Sequence, residues 1–145
     1  MAVYVEMKPE DISPDFEEWP ERWMYVEEDV AYGKGLLPLM HAFIVHLISK
    51  DLTRKTIRRH TDNLWLLGGE IIRHVNNYKE YHIPPIEKLR ESIGSDGGPY
   101  CRHLDSEAAL TSFDSTCRKL QRFLESLEVK RPTPNPAAGL LRGRR

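Results

Sequence analysis

Apolar residues recur at spacings of three and four through most of the middle of the chain, with polar residues filling the positions between them. Over residues 51–75, DLTRKTIRRHTDNLWLLGGEIIRHV, this places Ile57, Thr61, Leu64, Gly68, Ile71 and Val75 on one side of a helix. Thr53 occupies the N-cap position, where its hydroxyl accepts from a backbone N–H of the first turn, so the helix is expected to begin near Arg54. Upstream, Leu36, Met40, Phe43, Ile44, Leu47 and Ile48 form the buried stripe of a helix over 36–50, with Pro38 in its first turn. Downstream, 86–93 reads as two helical turns with Ile86, Leu89 and Ile93 inward. A last helix starts at Asp105 or Ser106, with Asp105 as the cap, and continues to about 128. Its stripe is Leu110, Phe113, Cys117, Leu120, Phe123, Leu124 and Leu127. The predicted fold class is all-α, a four-helix bundle.

The connections agree with that order. Lys50, Asp51 and Leu52 link the first two helices as an αα-hairpin, and GSDGGP at 94–99 is a turn. Gly68 and Gly69 interrupt the central helix at a cost of about 1 kcal/mol each relative to alanine. A close helix crossing or a kink would account for them. Residues 1–35 stand apart, with Pro9, Pro14 and Pro20 interleaved with Phe16, Trp19, Trp23 and Tyr25, and with Gly33 and Gly35 at the end. Residues 1–7 alternate enough for a short strand. The rest reads as an irregular acidic arm whose Trp19 and Trp23, four apart, pack onto the helical body. From 129 to 145 the chain is KRPTPNPAAGLLRGRR after a single valine, a composition that builds no core and reads as a disordered basic tail. The expected organisation is therefore an arm at 1–35, a helical core at 36–128 and a tail at 129–145.

Charge sharpens this division. The formal net charge of −1 excludes a uniformly basic nucleic-acid binder, but it conceals a split. Residues 1–30 hold ten acids and two bases, a sum of −8, and residues 31–145 hold nineteen bases and twelve acids, a sum of +7. Two cysteines without Cys-x-x-Cys spacing, and no signal-peptide pattern at the start, point to a reduced cytoplasmic setting. No run approaches 18 consecutive apolar residues, because His41 and His46 interrupt the best one, so no membrane span is expected.

Little catalytic chemistry is visible. There is no glycine-rich phosphate loop, paired-cysteine motif, His-Glu-x-x-His helix or nucleophile elbow, so neither an enzyme nor a cofactor is expected. His41 and His46 lie five apart and diverge on a helix, which makes them poor joint metal ligands, and no metal site is expected. Cys117 lies on the apolar stripe and reads as a small core residue. The one anomaly is at the start of the central helix. Lys50, Arg54, Lys55, Arg58 and Arg59 gather where the helix macrodipole favours anions by about 0.3–1 kcal/mol per charge. Stability alone does not select that arrangement, whereas an anionic partner such as phosphate does.

The segment LTRKTIRRHTDNLWLLGGEII, preceded by an apolar helix, resembles the SAM-like core-binding domain on the N-terminal side of tyrosine recombinases and phage integrases. Leu52, Thr53, Thr56 and Ile57 match that family's Leu-Ser/Thr-x-x-Thr-Ile/Val form, and Leu64, Leu67 and Ile71 continue it, the likeness covering about residues 36–128. The resemblance implies a four-helix domain that clamps one face of duplex DNA, with Lys50, Arg54, Lys55, Arg58 and Arg59 at phosphates or a groove. The 145 residues leave no room for the recombinase catalytic domain, so recombinase activity is not expected. The acidic arm has no counterpart in the family.

Two functions follow as expectations. The first is a non-catalytic module that binds duplex DNA through the start of the central helix. The second is a protein-interaction or regulatory domain whose basic helix meets an acidic protein surface or its own N-terminal arm. Oligomeric state is not legible in the sequence.

Overall fold

The computed structural model describes residues 7–129, and these form an all-α protein. The strand expected over residues 1–7 and the tail expected after 129 lie outside the described residues, apart from Met7. The order is α1 (Pro9–Ile12), a 3-10 turn (Phe16–Glu18), α2 (Trp19–Trp23), α3 (Glu28–Ile48), α4 (Arg54–Tyr78), α5 (Pro85–Ser92) and α6 (Glu107–Val129). The last four are the four helices legible in the periodicity.

The acidic arm is not irregular. Pro9 opens α1, where a missing N–H costs nothing, and the Asp11 carboxylate accepts the Lys8 N–H at 2.9 Å. Pro20 sits in the same tolerated position of α2. Trp19 and Trp23 pack onto the body as expected, 2% and 5% exposed, and Ile12 and Phe16 join them in the core.

Helix α3 begins at Glu28 rather than at 36, so the expected arm boundary falls inside it. The Asp29 carboxylate accepts the N–H groups of Tyr25 and Val26 at 2.8 and 3.1 Å, and its charge suits the positive end of the helix. Gly33 and Gly35 therefore do not break the helix. A Cβ on Gly33 would lie 2.9 Å from Pro20 Cβ, and one on Gly35 would lie 2.5 Å from Pro85 Cγ, so both glycines admit neighbouring helices at close range. Pro38 is in the middle of α3, on its exposed side, where its missing N–H leaves the Lys34 carbonyl facing water. By length and composition α3 passes for a membrane-crossing helix. Its apolarity is accounted for by packing, since Tyr32, Leu36, Met40, Phe43, Ile44 and Leu47 are buried against α2, α4 and α5.

Helix α4 starts and faces as its sequence predicts. Thr53 Oγ1 accepts the Thr56 N–H at 3.1 Å, and Ile57, Thr61, Leu64, Gly68, Ile71 and Val75 are all buried. It ends at Tyr78, with Lys79 in the left-handed region at φ 54°. What approaches Gly68 is a side chain of α2 rather than the backbone of a crossing helix. The indole of Trp23 lies on it, and a Cβ there would meet Trp23 Cζ2 at 2.1 Å.

Two expected inward positions and one expected cap differ. Leu89 and Ile93 are buried as expected, but Ile86 is 44% exposed, and Lys88 is inward instead, pairing with Glu80 and Glu91 while Pro85 packs on Gly35. Leu110, in the first turn of α6, is also 44% exposed, whereas Phe113, Cys117, Leu120, Phe123 and Leu124 of the same stripe are buried as expected, and Thr116 beside them bonds Asn63 of α4. Ser106 rather than Asp105 caps α6, its Oγ accepting the Ala109 N–H at 3.1 Å.

Candidate nucleic-acid interface

The five cations singled out in the sequence are all exposed, but the fold separates them into two groups. Arg54 and Arg58 turn toward the arm. Arg54 Nη2 donates to the Asp11 carbonyl at 2.7 Å, and Arg58 Nη1 donates to the Ile12 carbonyl at 3.2 Å. These carbonyls belong to the last turn of α1, where no helical N–H remains to satisfy them. The two guanidinium groups thus act as the C-terminal cap of α1 and tie it to α4.

The side chains of Lys50, Lys55 and Arg59 make no hydrogen bond or ion pair with any described residue. Lys55 and Arg59 stand one turn apart on the side of α4 away from the apolar stripe, and Lys50 lies at the end of α3 beside them in the chain. Among the described residues, no acid of the arm pairs with these cations. Glu10 lies 3.5 Å from His41 Nε2, Asp11 caps its own helix, and Asp15 and Glu18 hold Arg22 at 3.6 and 3.2 Å. The arm therefore docks on α4 through carbonyls and apolar side chains, and among the described residues the basic corner has no carboxylate partner.

A half-buried lysine of α6, Lys119, has one buried neighbour in common with Arg59. His60 is fully buried, its Nδ1 2.6 Å from Thr116 Oγ1 and its Nε2 without a hydrogen-bond partner. Burial, followed by the charges of Arg59 and Lys119, pushes its pKa down to about 4, so the ring is neutral at physiological pH. Lys119 therefore belongs to the same field as Arg59. Periodicity could not have found it, because only the packing of α6 on α4, through Asn63, Ser112 and Thr116, sets that neighbourhood. Two acids lie close by in sequence, the exposed Asp51 next to Lys50 and Asp62 three residues after Arg59. Burial holds the Asp62 carboxyl above the usual range, even though Arg58 pulls the other way.

Chemically, the corner can bind an anion by charge and by guanidinium and ammonium donors, as phosphate requires. The buried cysteines offer no nucleophile here. Burial raises the Cys117 thiol to about 12, and burial likewise raises Cys101. Compared with protein-family models, curated proteins and solved structures, the chain matches none.

Proposed function

We propose that this chain is a non-catalytic DNA-binding module that holds the phosphate backbone of duplex DNA at the start of α4, through Lys50, Lys55 and Arg59 with Lys119 beside them. The observation that supports this reading is that the exposed side chains of Lys50, Lys55 and Arg59 have no carboxylate partner among the described residues, while Glu10, Asp15 and Glu18 of the neighbouring arm pair with His41 and Arg22. Phosphate contacts of this kind give sequence-independent affinity and position the protein on the duplex. The likeness to the integrase core-binding domain is part of the proposal, with Arg54 and Arg58 reassigned from phosphate contact to holding α1. An electrophoretic mobility shift with duplex DNA at about 50 mM and about 200 mM salt tests it. A shift at the lower salt that weakens at the higher is expected. No shift at the lower salt removes the reading.

A second reading, regulation by the arm, is favoured by the bonds from Arg54 to the Asp11 carbonyl and from Arg58 to the Ile12 carbonyl. Loosening α1 by Ile12→Ser frees both guanidinium groups, and on this reading it raises DNA affinity. Unchanged affinity in a variant whose arm has become protease-sensitive removes it.

A further inference from the structure

Trp65 is 39% exposed on α4, whereas the other two tryptophans are buried. It forms one wall of a cleft of about 120 Å³ between α2, α4 and the segment leading into α6. Tyr25, 53% exposed, forms another wall, and its hydroxyl accepts from Arg102 Nη2 at 3.3 Å. Trp23 Nε1 donates to the Trp65 carbonyl at 3.0 Å, which fixes the back of the cleft. Gly69 contributes no side chain to the lining. At the inner end lies Glu70, 7% exposed, with Arg73 Nε 3.3 Å from its carboxylate. Arg102 and His103 are exposed at the rim.

Drug-sized ligands occupy roughly 300–1,000 Å³, so this cleft suits a single flat ring. Aromatic walls suit its faces, a carboxylate suits an N–H donor on its inner edge, and rim cations suit an attached anion. The cleft lies further along α4 on the side that carries Lys55 and Arg59. Lys55, Arg59 and Leu66, which lines the cleft, are spaced four and seven apart and share one side of α4, so the cleft lies about 16 Å along the helix from Lys55. Asp62 stands between them, with Arg58 beside it.

We propose that this cleft receives one unstacked nucleobase of single-stranded DNA, a base with an exocyclic amino group such as cytosine. Trp65 and Tyr25 hold its faces, Glu70 accepts from the amino group, and Arg102 and His103 face the neighbouring phosphates. The proposal rests on the DNA-binding reading and gives the same surface a preference for unpaired segments. Stacking is sequence-tolerant, and Glu70 adds a preference for a base that offers an amino group over thymine, which presents only its ring N3–H as a donor on that edge.

The test is fluorescence anisotropy with labelled oligodeoxycytidine and oligothymidine of about twelve residues and a duplex of similar length. The wild type, Trp65→Ala and Glu70→Gln are compared. Trp65→Ala keeps the backbone carbonyl that Trp23 uses, so the cleft's back is retained. It is expected to weaken oligodeoxycytidine binding about 5- to 150-fold and to change duplex binding less than about twofold. Glu70→Gln is expected to reduce the preference for oligodeoxycytidine over oligothymidine. The wild type alone provides an independent readout, because stacking on Trp65 quenches its fluorescence as oligodeoxycytidine saturates. Duplex binding with no quenching and no effect of Trp65→Ala overturns the cleft proposal and leaves the DNA-binding reading standing. Absence of binding to the duplex and to both single strands overturns the two together.

Discussion

Gly68 and Gly69 are adjacent in α4 and gain the same helix propensity on replacement by alanine, about 0.8–1 kcal/mol, yet the fold predicts opposite outcomes. A Cβ on Gly68 would lie 2.1, 2.3 and 2.7 Å from Cζ2, Cη2 and Cε2 of Trp23, where about 3.5–4.0 Å is needed. The indole would have to move by more than an ångström. It is pinned by its 3.0 Å bond to the Trp65 carbonyl and by the Trp19 ring at 5.8 Å. Overpacking of about 1–3 kcal/mol and loss of a hydrogen bond worth about 1 kcal/mol outweigh the propensity gain, leaving Gly68→Ala destabilised by about 1–3 kcal/mol. A Cβ on Gly69 meets Trp23 Cδ1 at 3.5 Å, an ordinary contact, so Gly69→Ala should be stabilised by about 0.5–1 kcal/mol. Thermal unfolding should separate the two variants by about 6–16 °C, at about 4 °C per kcal/mol. A double-mutant cycle with Trp23→Leu should abolish most of the penalty at Gly68. Equal shifts of the same sign in the two alanine variants would refute the seating of the arm on α4.

Two pH effects follow from buried groups. His60, with its folded pKa depressed to about 4 from an unfolded value near 6.5, favours folding fully above pH about 6.5, and this contribution is lost as pH falls toward about 4. The loss amounts to at most about 3 kcal/mol, and urea unfolding at pH 7 and pH 5 should show a smaller decrease for His60→Leu than for the wild type; an identical decrease would contradict it. For Asp29, burial raises the carboxyl pKa, but bonds from the Tyr81 hydroxyl and the Tyr25 and Val26 N–H groups lower it more, leaving it below its usual value. Its stabilisation is present above the unfolded pKa near 3.9 and lost as pH falls through the folded value, so Asp29→Asn should lower stability at pH 7 by about 1–3 kcal/mol with a flatter acid limb; an unaltered acid limb would count against this role.

The four longer helices are legible because their stripes are long and their caps local. Thr53 announces the start of α4 from within three residues of chain. The arm is not legible as helix because α1 and α2 are too short to be stable alone. They persist by burying Ile12, Phe16, Trp19 and Trp23 against partners far along the chain. Prolines and glycines misled for a related reason: Pro9 and Pro20 sit in tolerated first-turn positions, and Gly33 and Gly35 serve close packing inside α3. At the candidate site the five cations were legible as a cluster, but their division was not. That Arg54 and Arg58 cap α1 while Lys50, Lys55 and Arg59 stay open depends on contacts 43 and 46 residues apart in sequence. Lys119 enters the same field only through the packing of α6.

The salt dependence of duplex binding tests the central claim most directly. Anisotropy titrations from about 50 to about 200 mM salt should give a log–log slope of about −3.5 for the wild type, as four phosphate contacts require. Lys55→Glu with Arg59→Glu should weaken binding regardless of sequence and reduce that slope by about 2. A wild-type slope near zero, or a slope that the double charge reversal leaves unchanged, would contradict phosphate binding at the start of α4.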